Sequence, residues 1–167
     1  MVKRLVRLLR HLALPRWQVR RVFPAAALQR IEAEIAAAEA THGGQICFAV
    51  EGALDIGPLL AGVSARERAL DAFAQLRVWD TEQNNGVLVY LLLADHDVEI
   101  VADRGIDRHV GAAEWERICH AMERDFRAGR FEQGVIAGIR EISAHLARHF
   151  PRTAANDNEL PDRPFVI

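Results

Sequence analysis

The chain has 167 residues and a mass of 18.7 kDa, enough for one domain with a sizeable hydrophobic core. Half of the residues are hydrophobic and 26% are charged, as in an ordinary globular protein. The net charge of −2 is unevenly distributed: residues 1–21 carry seven Lys/Arg and no acid, which leaves 14 Lys/Arg against 23 Asp/Glu elsewhere. This acidic body argues against a nucleic-acid-binding face, and no apolar run is long enough to span a bilayer.

The N-terminal residues are basic, but they do not resemble a signal peptide. Arg7, Arg10 and His11 interrupt the leucines, so no apolar signal core forms and we expect a cytoplasmic protein. Cys47 and Cys119 have no metal-ligand spacing, and we expect two buried free thiols.

Residues 1–22 form a basic arm in our interpretation. Apolar residues at helical spacing alternate with arginines over 1–14 and predict a short amphipathic helix. Three interpretations remain open: the helix docks on its own domain or a partner, it lies on an anionic membrane surface at the inner face of the membrane, or it is frayed. Pro15 is expected to end it, and residues 16–23 to form an extended linker anchored by Trp17 and Phe23.

The next segment has the pattern of a βαβ unit. It predicts, in order, a helix over 24–41, a strand over Gln45–Glu51, a loop over 52–63 and a helix that begins with the capping box Ser64-Ala65-Arg66-Glu67 and ends near 77–80. A buried strand over 86–94 follows, and the two strands should be parallel.

The strand over 86–94 continues through the turn 95–97 into a second strand over 98–102, which predicts a β-hairpin whose first strand is central. Helices over 112–128 and 131–149 then form a helical hairpin expected to cover one sheet face, with the earlier helices on the other. The tail 151–167 is either disordered or laid extended along the body by Leu160 and Phe165.

The predicted fold is therefore an α/β, three-layer α/β/α sandwich with a mixed β-sheet, made of a βαβ unit plus a β-hairpin, and a C-terminal helical hairpin. The arm (1–22), the α/β domain (23–150) and the tail (151–167) are its expected parts.

The start of the first hairpin strand lies beside the end of the second, and we call this edge of the sheet the hairpin mouth. Carboxylate, amide and hydroxyl oxygens suit calcium or magnesium, and arginine suits a phosphate or carboxylate. The candidate metal ligands are Asp80, Asn84, Asn85 and Asp103, and the candidate ligand-binding residues are Thr81, Arg104 and Asp107. The alternative is that these residues only form turns and helix caps, with Asp80 or Thr81 capping a turn and Asp107 capping a helix.

The sequence assigns no catalytic residue. A nucleophile elbow, a phosphate loop and a dinucleotide fingerprint are absent, and Ser64 is explained as an N-cap. His145 and His149 are spaced i, i+4, but the intervening residues lack the glutamate of a zinc motif, so zinc is not favoured.

Three motifs between residues 23 and 150 resemble the TPM domain family, which includes thylakoid-lumen photosystem repair proteins and bacterial secreted or membrane-anchored relatives. They are Asn84-Asn85-Gly86-Val87-Leu88, the strand ending Ile100-Val101-Ala102-Asp103-Arg104-Gly105-Ile106, and the helix joint Phe126-Arg127-Ala128-Gly129-Arg130-Phe131-Glu132-Gln133-Gly134. The resemblance implies an α/β/α sandwich, a divalent-metal site near the Asn-Gly loop and, for some plant members, a proposed acid phosphatase activity.

This sequence matches only some of the residues at the family's metal site. The family's acid before the Asn-Gly pair is Asn84 here, and Asp103 stands where many members have glycine or an aromatic residue, so Asp103 would restore the lost charge.

Two functions follow as expectations. The first is a non-enzymatic binding or adaptor module that acts with a protein partner associated with a membrane, makes peripheral membrane contact through residues 1–21 and binds a divalent cation at the hairpin mouth. The second is a metal-dependent phosphatase acting on small phosphate esters.

Overall fold

The computed structural model describes residues 2–15, 17–153 and 158–167. The helices are α1 (Val2–Ala13), α2 (Trp17–Val22), α3 (Ala25–Glu39), α4 (Ile56–Ala61), α5 (Ala65–Gln75), α6 (Arg104–Val110), α7 (Ala112–Arg127) and α8 (Phe131–His149). The strands are β1 (Gln45–Glu51), β2 (Gly86–Leu92), β3 (Asp97–Ala102) and β4 (Phe165–Val166). Among these described residues, each helix is either too short or too polar to cross a membrane.

The strands form one mixed sheet in the order β3-β2-β1-β4. β1 and β2 are parallel, with Gln45 opposite Gly86 and Glu51 opposite Leu92, as the βαβ pattern predicts. β2 and β3 form the predicted antiparallel hairpin, and every residue of β2 is buried because helices cover both faces of the sheet. The sequence did not predict β4, which adds the C-terminal tail to the outer edge of β1 as a parallel strand.

Helices on both sides of the sheet complete the predicted three-layer α/β/α sandwich. One face packs on α3, α7 and α8, through buried residues such as Ile35, Phe126 and Ile139. The other face packs on α4 and α5, through Leu59 and Ala69 among others.

The expected layering was wrong for α3. Instead of lying beside α5, α3 joins the helical hairpin on the opposite face, where it contacts α8. Its buried stripe includes Ile31 and Ile35, and the ion pair between Arg140 Nε and Glu34 Oε1 (2.7 Å) links its exposed side to α8. The opposite face is covered by α4 and the crossover helix α5.

Two segments expected to lack regular structure are partly helical. Residues 17–22 of the expected linker form α2, because Pro15 O accepts a hydrogen bond from Gln18 N (2.9 Å) and starts a new helical turn. Phe23 is buried as expected, whereas Trp17 is 59% exposed and is not the buried anchor that was expected. Arg16 lies outside the described residues.

The expected loop over 52–63 contains α4, which ends at Gly62 with a φ of +80°. That left-handed conformation favours glycine and stops the helix. The capping box at Ser64 is present as predicted, with Glu67 N bonded to Ser64 Oγ and Ser64 N bonded to Glu67 Oε2.

Cys47 and Cys119 are buried free thiols, as expected, and burial raises the pKa of each to about 12.

Of the two alternatives for the tail, residues 158–167 follow the extended one, with Leu160 buried and Phe165 half-buried. Residues 154–157 lie outside the described part of the chain.

Candidate functional site

The hairpin mouth forms where β2 begins and β3 ends. Val87 pairs with Ala102, and Asp103 N donates a hydrogen bond to Gly86 O (2.9 Å), so the residues just before β2 and just after β3 are neighbours as predicted. The chain then turns into α6, which the sequence did not predict. Gly105 in its first turn approaches the polar loop so closely that a Cβ there would collide with Asn84 O and lie 2.6 Å from Gln83 O.

Asn85 is the most buried polar residue of the mouth, with no exposed surface. Its backbone N–H donates to Thr81 Oγ1 (3.1 Å), and its side-chain Nδ2 donates to Gly43 O (3.0 Å). Its Oδ1 is buried without a hydrogen-bond partner among the described residues. The preceding Asn84 has a φ of +53°, a left-handed conformation that asparagine tolerates better than most residues. The loop thus presents a buried amide oxygen that is free to accept.

Asp103 presents a second such oxygen. It is the N-cap of α6, and its Oδ1 accepts a hydrogen bond from Arg104 N (2.7 Å). Its Oδ2 is buried and has no partner within the described part of the chain. Buried polar atoms in native proteins are nearly always paired with protein, water or an ion. Asn85 Oδ1 and Asp103 Oδ2 are therefore the two atoms of the mouth best suited to an added ligand.

The other candidate residues already serve the fold. Asp80 Oδ2 accepts from Arg77 Nη2 (2.6 Å) at the exposed surface, and Asp107 Oδ1 accepts from Trp115 Nε1 (2.9 Å). The Thr81 hydroxyl supports the loop through the bond from Asn85 described above. Arg104 is exposed and directly follows Asp103 in the sequence.

Histidines do not supply a metal centre in the described ranges. No group of three or more His, Cys, Asp or Glu side chains there is arranged to hold an ion. His145 Nε2 lies 3.1 Å from Glu114 Oε1, and His149 stacks on His109 with ring centroids 4.6 Å apart. A cation at the mouth would therefore depend on amide and backbone oxygens as well as carboxylates, which hard cations accept.

At the other end of the sheet, α1 docks through its polar side. Arg7 Nε donates to Asp95 Oδ2 (2.8 Å), and the buried His11 ring lies 3.1 Å from Asp95 Oδ1. His11 Nδ1 also accepts a hydrogen bond from Leu54 N (3.0 Å). Asp95, in the turn of the hairpin, is an anchor that sequence reasoning missed; the i, i+4 spacing of Arg7 and His11 was the signal for a polar docking face.

The apolar side of α1 points outward. Leu5, Val6, Leu9 and Leu12 are 47–57% exposed, and we call them the outer stripe. Amphipathic helices of globular proteins normally bury this side. Here ion pairs hold the polar side against the domain and keep the outer stripe in solvent.

Comparisons with known proteins agree with this fold. The family model described as "TPM domain" matches residues 19–145. The NMR structure of the BA42 protein from the psychrophilic bacterium Bizionia argentinensis sp. nov. superposes with a TM-score of 0.75 and 29% identity, over 87% of this chain and 95% of that one.

A second solved structure shares the fold alone. The N-terminal domain of a protein from P. gingivalis, solved by NMR in solution, has a TM-score of 0.62 and 17% identity, over 84% of this chain and 94% of that one. No match was found among curated proteins. Since the family model covers most of the chain and includes all three motifs quoted above, the chain belongs to the TPM domain family.

Proposed function

We propose that this TPM domain is a non-catalytic binding module that attaches to an anionic membrane surface through α1. The attachment would bring the domain beside membrane-associated proteins, among which we expect its partner. The observation that supports this function is the outer stripe, a row of aliphatic side chains held in solvent by the ion pair of Arg7 with Asp95 and by the contact of the His11 ring with the same carboxylate. An exposed row of this kind marks a surface that meets an apolar phase or partner.

The charges around the outer stripe favour lipid over protein. Arg4 and Arg10 on α1 are exposed, and so are Trp17, Arg20 and Arg21 on α2. Basic side chains near an anionic bilayer contribute about 1 kcal/mol each. Aliphatic residues lie at the boundary between headgroups and acyl chains, where tryptophan also resides. An exposed aliphatic row flanked by arginines is the pattern of such interfacial helices.

Vesicle sedimentation tests this attachment. We expect the protein to pellet with phosphatidylserine vesicles, to pellet less with phosphatidylcholine vesicles, and to be released by salt because the arginine contribution is screened. The double variant Leu5→Ser/Leu9→Ser should lose binding while it keeps the melting temperature, since both side chains are exposed. Leu70→Ser, which removes an exposed leucine from α5, is the matched control and should bind like the native protein.

Two results would contradict the attachment to lipid. Sedimentation that the double variant leaves unchanged would show that the outer stripe does not insert. Concentration-dependent dimerisation that the double variant abolishes, without any vesicle binding, would assign the stripe to a second copy of the chain.

We also propose that a divalent cation, calcium or magnesium, binds at the hairpin mouth. The fit rests on Asn85 Oδ1 and Asp103 Oδ2, two buried oxygens without a hydrogen-bond partner among the described residues and of the type that these ions prefer. Asn84 is a further candidate ligand, and Asp80 becomes one only if its bond to Arg77 opens. A bound ion would supply positive charge that attracts an anionic group.

Calorimetric titration of each ion into the native protein tests this site. Asp103→Asn should abolish saturable binding without unfolding the protein, because asparagine is also a good N-cap and preserves the start of α6. Asp71→Asn, which removes an exposed acid from α5, should leave binding unchanged. Absence of saturable heat at millimolar ion concentration would exclude the site.

A metal-dependent phosphatase is the second candidate function, and the exposed Arg104 beside Asp103 is the feature that favours it. Arginine binds phosphate in a bidentate manner, and the ion would share the charge of the ester. Turnover of an aryl phosphate that disappears in both Arg104→Gln and Asp103→Asn would support it. Turnover that persists in both variants would come from a contaminant.

A further inference from the structure

A polar cavity of about 190 Å³ lies between the end of α3, the start of β1 and the C-terminal tail. Its polar lining consists of Glu39, His42, Gln45, Arg152, Asn158 and Asp162. We call it the tail cavity. It is separate from the hairpin mouth and from α1, and neither of the functions proposed above uses it.

The tail is fixed in place as one wall of this cavity. Gln45 Oε1 accepts hydrogen bonds from the backbone N–H groups of Glu159 and Leu160, both at 2.9 Å. Arg152 Nη1 donates to Glu39 O at the end of α3 (2.7 Å). Since these bonds join β1, α3 and the tail, the cavity has a defined shape.

His42 presents a hydrogen-bond donor that has no acceptor among the described residues. The side chain is 1% exposed, and its Nδ1 accepts from Gly44 N (3.2 Å). Burial lowers the pKa of His42 to about 4, so the ring is neutral at pH 7 and its single proton is on Nε2. That Nε2 is buried and finds no partner in the ranges that the structure describes.

Glu39 lies beside Asp162 at the same cavity. The side chain is 7% exposed, and its Oε1 accepts from Ile46 N (2.7 Å). Burial raises the pKa of Glu39 to about 8, and a side-chain hydrogen bond with Asp162 acts in the same direction, so the carboxyl is mostly protonated at pH 7 and donates its proton to Asp162. One buried donor, His42 Nε2, and the Arg152 guanidinium therefore line the cavity.

Asp162 gives the lining an acceptor as well. Its Oδ1 accepts from Asn158 Nδ2 (2.8 Å), which holds the carboxylate in place at the cavity. The donors suit an oxyanion, and the carboxylate suits a hydroxyl or an ammonium group on the same molecule. At about 30 Å³ per water molecule, the volume corresponds to roughly six waters, or to an acid of about two to four carbons.

We propose that the tail cavity binds a small organic acid that carries a hydroxyl or ammonium group besides its carboxylate, which is the chemistry of hydroxy acids and amino acids. The carboxylate of this ligand accepts from His42 Nε2 and Arg152, and its hydroxyl or ammonium group donates to Asp162. The ligand supplies the acceptor that the buried His42 Nε2 lacks among the described residues.

The test titrates glycolate, glycine and acetate into the full chain labelled with ¹⁵N-histidine, at pH 7 and constant ionic strength. We expect saturable shifts of the His42 ring nitrogens, with glycolate or glycine bound more tightly than acetate, which lacks the second group. Which of the two binds better identifies the hydroxyl or the ammonium class. Arg152→Gln should weaken binding about tenfold or more, because hydrogen bonds to charged groups contribute about 1.5–3 kcal/mol.

Two further variants make the test specific. Asp162→Asn should reduce the preference for glycolate or glycine over acetate. Arg148→Gln, which removes an exposed arginine from α8 outside the cavity, should change each affinity less than twofold. Melting temperatures confirm that every variant is folded. Absence of saturable shifts with all three acids, or equal affinities in the native protein and Arg152→Gln, would overturn the proposal and assign the cavity to water.

Discussion

Replacing Glu39 by glutamine tests whether a protonated carboxyl is buried beneath the tail. Glutamine keeps an oxygen that can accept from Ile46 N and has an N–H in place of the acid proton, so Glu39→Gln should fold normally. Because the pKa of Glu39 is raised from 4.5 to about 8, the stability contributed by its proton is fully present below pH 4.5 and is lost as the pH rises through 8. The native protein should therefore lose stability over this range, and the variant should not.

The magnitude follows from the two pKa values. Each pH unit between them costs about 1.4 kcal/mol, and the loss levels off near the upper value, so the change from pH 6.5 to 8.5 is about 2 kcal/mol. His42, whose pKa is lowered to about 4, contributes stability present above pH 6.5 and lost as the pH falls through 4. Asp97, whose pKa is raised from 3.8 to about 6, contributes stability that is present below pH 3.8 and is lost as the pH rises through 6, almost entirely before pH 6.5 is reached. The chosen window therefore mainly reports Glu39.

Urea unfolding followed by tryptophan fluorescence at pH 6.5 and pH 8.5 measures this effect. Relative to the native protein, Glu39→Gln should gain about 2 kcal/mol of unfolding free energy between the two pH values. Glu32→Gln, which changes a partly exposed acid on the same helix, should follow the native protein. Parallel losses in the native protein and Glu39→Gln would refute the reasoning, because the carboxyl would then be ionised already at pH 6.5.

Three further substitutions test the local structure, each by unfolding free energy or proteolysis. Gly105→Ala should destabilise the protein by about 1–3 kcal/mol through its collision with Asn84 O, whereas Gly57→Ala meets nothing within 4 Å and should cost nothing; equal effects would contradict the close approach. Ser64→Ala should cost about 1 kcal/mol because it removes the cap of α5, and an unchanged stability would mean that water replaces the cap. Asp95→Asn should release α1 to proteolysis ahead of the domain, and an equally resistant α1 would show that apolar contacts hold it.

Periodicity and cap residues predicted the long elements well. Strand β1 and helix α8 begin and end where alternation and helical spacing place them, and the capping box located the start of α5. Because such signals are local, they can be interpreted without knowledge of the fold. The hairpin was also predicted correctly, because a strand that is apolar on both faces is expected at the centre of a sheet.

The elements that the sequence missed are short and depend on tertiary contacts. Gly57-Pro58 suggested a loop, yet a proline is tolerated in the first turn of a helix, and α4 begins just before it. The sequence also missed α6, whose first turn contains Gly105 at a position where only glycine fits against the polar loop. Strand β4 has two residues and exists because the edge of β1 was open.

The candidate sites were predicted only in part, because some of their residues are brought together by tertiary contacts alone. Adjacent strand ends placed Asn85 and Asp103 together, since hairpin register can be read from sequence. The tail cavity joins Glu39 with Asp162, which the chain separates by most of the domain, and no local pattern connects them. The burial that makes these side chains chemically unusual appears only once the tail is folded onto β1.

The unpartnered buried polar atoms are concentrated at one end of the sheet. Among the described residues, the tail cavity lies at the start of β1 and the hairpin mouth at the start of β2, and the bond from Asn85 Nδ2 to Gly43 O joins the two regions. Helix α1 contacts Leu54 and Asp95, which follow the opposite ends of the same strands. Strands of seven residues separate these ends by about 20 Å. Attachment through α1 would therefore leave both candidate ligand sites away from the membrane, so that ligand and lipid need not compete for the same surface.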